Sequence, residues 1–237
     1  MNQFIKAFEP DKLQEAWKVF VTEFPLGLWE TVYITVLATL FAIVIGLPLG
    51  ILLVTGDEKG IHPLPKALMK AVNVIINFLR SVPFIILMVM VIPLTRAIVG
   101  TSLGSVASIV PLVVAAFPFV ARLVESSLRE LDPNIIEMAQ SMGSSTAQII
   151  FRVMLPESVP SLVTNFTLAI TTILGYTAMS GAMGGGGLGK IAIDYGYYRY
   201  RYAVLYLAVI VLVLITQIIQ SFGTWLAARL DKRLKNK

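Results

Sequence analysis

The side chains that most often carry chemistry in proteins are scarce in this sequence of 237 residues. There is no cysteine, which excludes thiolate catalysis, and the single histidine, His62, argues against a histidine-ligated metal or a histidine-based triad. The run 184–190 (Gly-Gly-Gly-Gly-Leu-Gly-Lys) nearly matches a phosphate-binding loop, but Ile191 stands where that loop needs a hydroxyl for Mg²⁺. We therefore predict that this chain has no catalytic residue, no metal site and no bound nucleotide.

The composition indicates a membrane protein. Hydrophobic residues make up 57% of the chain and charged residues 14%, against about 45–50% and roughly 25% in soluble domains. The mean hydropathy is +0.80, and a soluble fold of this length could not bury so much apolar surface. The net charge of +5 is then better explained by basic cytoplasmic loops than by nucleic acid, which we do not expect as a partner.

Stretches without a charged residue predict the elements that position the remaining polar groups. Four such stretches exceed the roughly 20 residues that a helix needs to cross the hydrocarbon. They are residues 31–56, 97–121, 158–189 and 202–228. A fifth stretch, 72–94, is interrupted by Arg80, whose long side chain can reach the headgroups. We predict an all-α membrane protein with five transmembrane helices.

The distribution of lysine and arginine predicts the orientation. With the N-terminus outside, twelve basic residues fall in cytoplasmic segments and seven in outer segments, so the N-out, C-in arrangement follows the positive-inside rule. Residues 1–26 then form an outer segment, 27–230 the transmembrane domain, and 231–237 a basic cytoplasmic tail. Apolar residues at helical spacing in the outer segment indicate a short interfacial helix, with a poorly ordered terminus as the alternative.

The largest hydrophilic segment within the chain is residues 122–157, which holds eight charged residues. Asp132 before a proline is a helix-start signal, and apolar residues then recur at helical spacing. Gly143 interrupts that spacing, which indicates either a bend between two short amphipathic helices or a close approach of the backbone to a neighbour. Leu155 and Pro156 predict the end of the second helix.

One pattern in this segment resembles the EAA motif of permease subunits of bacterial ABC importers. That motif is Glu-Ala-Ala, three residues, Gly, nine residues, Ile, one residue, Leu-Pro. The matching positions are Glu137, Met138, Ala139, Gly143, Val153, Leu155 and Pro156. Methionine replaces the first alanine and valine the isoleucine. Further segments resemble the methionine-uptake subfamily, namely 46–50, 80–84, 93–96, 98–102, 116–122, 175–179, 184–189 and 195–197.

The resemblance implies a type I ABC importer permease fold and a set of partners. Two copies of the chain would assemble with two ATP-binding subunits, which hold ATP and Mg²⁺, and with an external substrate-binding protein. In such permeases the motif forms a coupling helix that docks in a groove of the ATP-binding subunit, and exposed apolar residues suit helix-in-groove recognition. The residues assigned to this coupling are Glu137, Met138, Ala139, Met142, Gly143, Leu155 and Pro156.

The fourth predicted span is the most polar. Its small and hydroxylated residues are typical of close helix packing, and they can also line a pathway. In a dimer this span could face its copy, with an apolar constriction at Met179. The residues assigned to the gate and pathway are Thr172, Tyr176, Thr177 and Met179. No acidic residue lies in a predicted span core, which argues against a proton relay.

The sequence therefore predicts a permease subunit of an ATP-driven methionine importer in the cytoplasmic membrane of a bacterium, surrounded by lipid and without enzymatic activity of its own. Three alternatives remain open at this point. One is an importer permease for another amino acid or small solute. The second is an ATP-independent secondary carrier, and the third is a membrane scaffold with no transport role.

Overall fold

The computed structural model describes residues 9–231, and helices make up most of this range. The helices of the first half are α1 (Pro10–Thr22), α2 (Phe24–Thr55), α3 (Lys66–Ser81), α4 (Phe84–Met90), α5 (Ile92–Val99) and α6 (Ile109–Arg129). Those of the second half are α7 (Pro133–Ser141), α8 (Thr146–Ile149), α9 (Leu155–Glu157), α10 (Val159–Gly181), α11 (Gly187–Ile191) and α12 (Tyr202–Leu230). Two π-helices, Ile150–Met154 and Ala192–Tyr198, follow α8 and α11. Residues 232–237 of the predicted tail and 1–8 of the predicted outer segment lie outside the described residues.

Four helices, α2, α6, α10 and α12, are long and apolar enough to cross a membrane. The predicted continuous span over 72–94 is wrong, because α3 and α4 are bent by 110° to each other. The bend lies at Val82, whose extended conformation (φ −78, ψ 126) is the one that a following proline, Pro83, favours. As a single bent element, α3 and α4 raise the number of candidate spans to five, so the all-α membrane fold is confirmed.

The ends of the other spans also differ from the charge-free stretches. The stretch 97–121 contains the end of α5 and the start of α6, separated by a turn that begins at Gly100 in the left-handed conformation (φ 83). The stretch 158–189 outlasts α10, which ends at Gly181 before the glycine run. Absence of charge therefore marks apolar segments here, and glycine decides where the helices stop.

The described chain divides into two compact units. The first contains residues 9–39, 83–113 and 170–219, and its core includes Ala16 of α1 packed with Val204 and Ala208 of α12. The short helix that the sequence predicts near the N-terminus is thus held by apolar contacts to α12.

The second unit contains residues 40–82, 114–169 and the described residues from 220 onward. A core cluster joins Leu53 of α2, Ile76 of α3 and Ala121 of α6. The segment with the EAA-like motif belongs to this unit.

Candidate functional site

The motif segment begins with a well-capped helix. Asp132 is the N-cap of α7, and its carboxylate accepts a hydrogen bond of 2.9 Å from the backbone N–H of Asn134. Pro133 occupies the first turn, where its missing N–H costs nothing. The start that the sequence predicts for this helix is confirmed.

The helix α7 ends in a glycine turn. The N–H of Gly143 donates to the carbonyl of Gln140 (2.9 Å), and the N–H of Ser144 donates to that of Ala139 (3.1 Å), which is the Schellman pair of hydrogen bonds. Gly143 has φ +79, and a Cβ built on it would meet no atom within 4 Å. Glycine is therefore needed for its left-handed backbone and not for space, and the predicted bend at this residue is confirmed.

A second helical segment follows the turn at once. Ser145 and Gln148 form a capping box, in which the hydroxyl accepts from the N–H of Gln148 and the amide oxygen accepts from the N–H of Ser145. The predicted helix end at Leu155 and Pro156 is wrong, because the π-helix Ile150–Met154 leads directly into α9. Proline fits the first turn after this change of register, where no i−4 hydrogen bond is required of it.

The exposed face of the segment is apolar. Met138 is 59% exposed and Met142 79%, and because they are four residues apart they lie on one face of α7. Ala139 is buried and Glu137 is exposed. Phe151, which we did not single out from the sequence, is 66% exposed on the following π-helix. Large apolar side chains held in water by capped helices suit the docking of a partner.

A cleft of about 540 Å³ separates α7 from the segment that follows α2. Asp57, Arg129 and Glu137 are among the charged side chains that line it. The pKa of Asp57 is lowered, first by a hydrogen bond from the Arg129 guanidinium and then by the backbone N–H of Glu58. This ion pair could not be predicted from the sequence, because Asp57 and Arg129 are far apart in the chain.

The predicted gate residues lie in the other unit and do not all face the same way. Thr172, Tyr176 and Met179 share one face of α10, since they are four and three residues apart. The Tyr176 ring stacks on Phe84 with centroids 4.7 Å apart, and Met179 is 41% exposed. Thr177 instead is buried, where its hydroxyl donates to the carbonyl of Ile173 at 3.0 Å.

An acidic side chain in α2 was missed by the sequence reasoning. The Glu30 carboxylate accepts hydrogen bonds from the N–H of Gly187 (2.7 Å) and from the hydroxyl of Ser105 (3.1 Å). The neighbouring Thr31 accepts from the N–H of Leu188 at 2.8 Å. These two adjacent side chains hold the glycine run, whose backbone is closely packed. Within residues 9–231, no three acidic or histidine side chains are grouped to hold a metal ion.

The helical spans and the exposed, capped loop define a helical membrane protein with a surface suited to a partner, and the comparison with known proteins gives its class. Residues 46–236 match the family described as binding-protein-dependent transport system inner membrane component. The probable D-methionine transport system permease protein MetI of Vibrio cholerae is 45% identical over 86% of this chain and 91% of its own. That of Pasteurella multocida is 48% identical over 88% and 95%. The chain belongs to this family of importer permeases.

Solved structures show the same relationship. The fold matches a chain of the MetNI methionine ABC transporter in inward-facing conformations, with a TM-score of 0.85 and 43% identity over 87% of this chain and 95% of that one. An amino acid ABC transporter shares the fold alone, with a TM-score of 0.68 at 17% identity. The predicted ABC importer permease, with its resemblance to the methionine-uptake subfamily, is confirmed, and the secondary carrier is excluded.

Proposed function

We propose that this chain forms the membrane pathway of an ATP-driven methionine importer in the cytoplasmic membrane of a bacterium, as a homodimer. The observation that carries the proposal is the likeness to the methionine transporter at 43% identity and a TM-score of 0.85. The relatives named as D-methionine permeases support the same substrate, including its D form.

The partners follow from the type of transporter. Two ATP-binding subunits hold ATP and Mg²⁺ and hydrolyse the nucleotide, and an external binding protein delivers the substrate. The coupling residues belong to the segment from α7 to α9, where the exposed Met138 and Met142 offer an adaptable apolar face for a groove. In that helix, Glu137 supplies an exposed charge and Ala139 packs against the rest of the chain. The left-handed Gly143 ends the helix.

The pathway lies along α10 and its copy in the dimer. Met179, exposed in the single chain, supplies the apolar constriction, and Thr172 and Tyr176 line the same face. Thr177 supports α10 from its buried side, 3.4 Å from the hydroxyl of Thr35. Movement of the coupling helices rocks these spans between inward-open and outward-open states.

The orientation in this proposal is N-out and C-in. It rests on the twelve basic residues that this arrangement places in the cytoplasm, against seven outside. The coupling segment is then cytoplasmic, on the side where ATP is available.

The experiment is reconstitution of the purified chain with its ATP-binding subunit in proteoliposomes, with ATP enclosed and the binding protein added outside. We expect uptake of labelled methionine that requires ATP and the binding protein, with excess unlabelled D- or L-methionine competing. If another unlabelled amino acid inhibits this uptake and unlabelled methionine does not, the proposed substrate is wrong. Failure to co-purify with any ATP-binding subunit would refute the assembly.

A further inference from the structure

The C-terminal half of α6 carries three charged side chains on one face. Arg122, Glu125 and Arg129 follow at intervals of three and four residues. One oxygen of the Glu125 carboxylate lies 2.6 Å from Nη1 of Arg122, and the other lies 3.0 Å from Nη2 of Arg129. The Glu125 side chain is only 13% exposed. A largely buried carboxylate is thus held between two guanidinium groups.

Each guanidinium group also reaches a segment distant in sequence. Nη2 of Arg122 donates to the amide oxygens of Asn73 (2.7 Å) and Asn77 (2.9 Å), both in α3. Nη2 of Arg129 donates to the carboxylate of Asp57 at 2.9 Å, in the segment after α2. The three charges of α6 therefore bind it to the end of α2 and to the amphipathic helix α3.

The cost of this arrangement shows at Arg122, whose Nε is buried with no hydrogen-bond partner. Buried donors are almost always paired, so the side chain is held by its other contacts in a position that leaves one donor unsatisfied. The opposite end of the network borders α7. Arg129 and Asp57 line the same cleft as Glu137 and Gln140 of α7.

We propose that Arg129 and Glu125 are positioning residues that join α2, α3 and α6 into one body moving with the coupling helix. The inference rests on the function proposed above. Arg129 is the junction, because its planar fork binds Glu125 and Asp57 together. A displacement of α7 against this wall of the cleft is then transmitted to α3 and so to the bend at Val82 and Pro83. Without the junction, ATP hydrolysis and substrate movement become partly uncoupled.

The test compares two variants of the complete transporter in proteoliposomes. Arg129→Lys keeps the charge but replaces the fork with a single ammonium group, which cannot hold both carboxylates in the same geometry. Asp57→Asn removes the outer charge of the network at a side chain that is 45% exposed, so folding should be preserved. The readout is the amount of methionine imported per ATP hydrolysed, measured in the same vesicles. If these residues had only a structural role, the variants would lower methionine import and ATP hydrolysis together and leave their ratio unchanged.

We expect each variant to lower this ratio by about 2- to 30-fold, the range known for residues in coupling networks. The matched control is Glu58→Gln, next to Asp57, which breaks an exposed pair with Lys66 (3.0 Å; side chains 64% and 80% exposed) and should leave the ratio unchanged. A wild-type ratio of methionine imported to ATP hydrolysed in Arg129→Lys overturns the proposal, whether or not the ratio in Asp57→Asn is also unchanged.

The wild-type vesicles separate this inference from the proposed function. If they hydrolyse ATP without importing methionine, the proposed substrate is wrong. The inference is then decided by the stimulation of ATP hydrolysis by the binding protein. That stimulation should fall in Arg129→Lys and not in Glu58→Gln, and equal stimulation in the two variants overturns the junction.

Discussion

Replacement of Gly143 isolates the contribution of one backbone conformation to coupling. The residue has φ +79, and a Cβ at this position would meet nothing within 4 Å. Gly143→Ala therefore introduces no clash, and its cost is the left-handed conformation alone, about 1–2 kcal/mol for a residue with a Cβ. Gly143→Asn should cost less, because asparagine tolerates this region.

The expected effect on transport follows from that cost. If the Schellman turn is required for docking, a penalty of this size lowers the population of the correct turn by a factor of about 5–30. We expect ATP-dependent methionine uptake in proteoliposomes to fall within that range for Gly143→Ala, and to stay near the wild-type rate for Gly143→Asn. The unfolding temperature of Gly143→Ala should also fall, because the left-handed conformation carries its cost whether or not the residue is exposed, and that of Gly143→Asn should fall less.

The control is Gly100→Ala, at the turn between α5 and α6. Gly100 is also left-handed (φ +83) and a Cβ on it also meets nothing within 4 Å, so alanine carries the same conformational cost outside the motif segment, and uptake should stay near the wild-type rate. Wild-type uptake in Gly143→Ala would refute the role of the turn. Equal losses of uptake in Gly143→Ala and Gly143→Asn would show that any side chain at this position impairs uptake, whatever its tolerance of the left-handed conformation.

Four further variants test other parts of the structure. Met142→Glu should leave thermal stability within about 0.5 kcal/mol, since the side chain is 79% exposed, but should reduce co-purification with the ATP-binding subunit. Met179→Ala should raise the passive leak of methionine from loaded vesicles, and an unchanged leak would remove it as the gate. Glu30→Ala should lower stability by about 1–3 kcal/mol, seen as a lower unfolding temperature, because it leaves the N–H of Gly187 without its acceptor. Asp57 stabilises the fold above its ordinary pKa of 3.8 and loses this effect as pH falls through its lowered pKa, so thermal unfolding of Asp57→Asn should depend less on pH in that acidic range.

The coupling segment could be predicted from the sequence because its determinants are local. The cap at Asp132, the left-handed turn at Gly143 and the two helices around it are fixed by neighbours within a few residues. The π-helix before Leu155 was missed, because nothing in the spacing of apolar residues distinguishes a register shift from a helix end.

The position of each predicted gate residue around the axis of α10 divides these residues into two groups. A rotation of about 100° per residue places Thr172, Tyr176 and Met179 on one face, and it places Thr177 elsewhere. The spacing in the sequence already places Thr177 on a different face from the other three residues, but its polarity alone grouped it with them. The stacking of Tyr176 on Phe84 was not available, since it depends on the fold bringing α4 to α10.

At α2 and α6, the use of charges to mark the ends of spans failed for a shared physical reason. A charge is costly in hydrocarbon only when the protein provides no partner for it. The helix α2 begins at Phe24 and includes Glu30, whose carboxylate is satisfied by an amide N–H and a hydroxyl. The helix α6 runs to Arg129, past Arg122, since the carboxylates of Glu125 and Asp57 together pair with the two guanidinium groups. Charge-free length thus underestimates a helix wherever its ends carry such internal pairs, and charges that continue a helix in this way mark the contacts that hold its end in place.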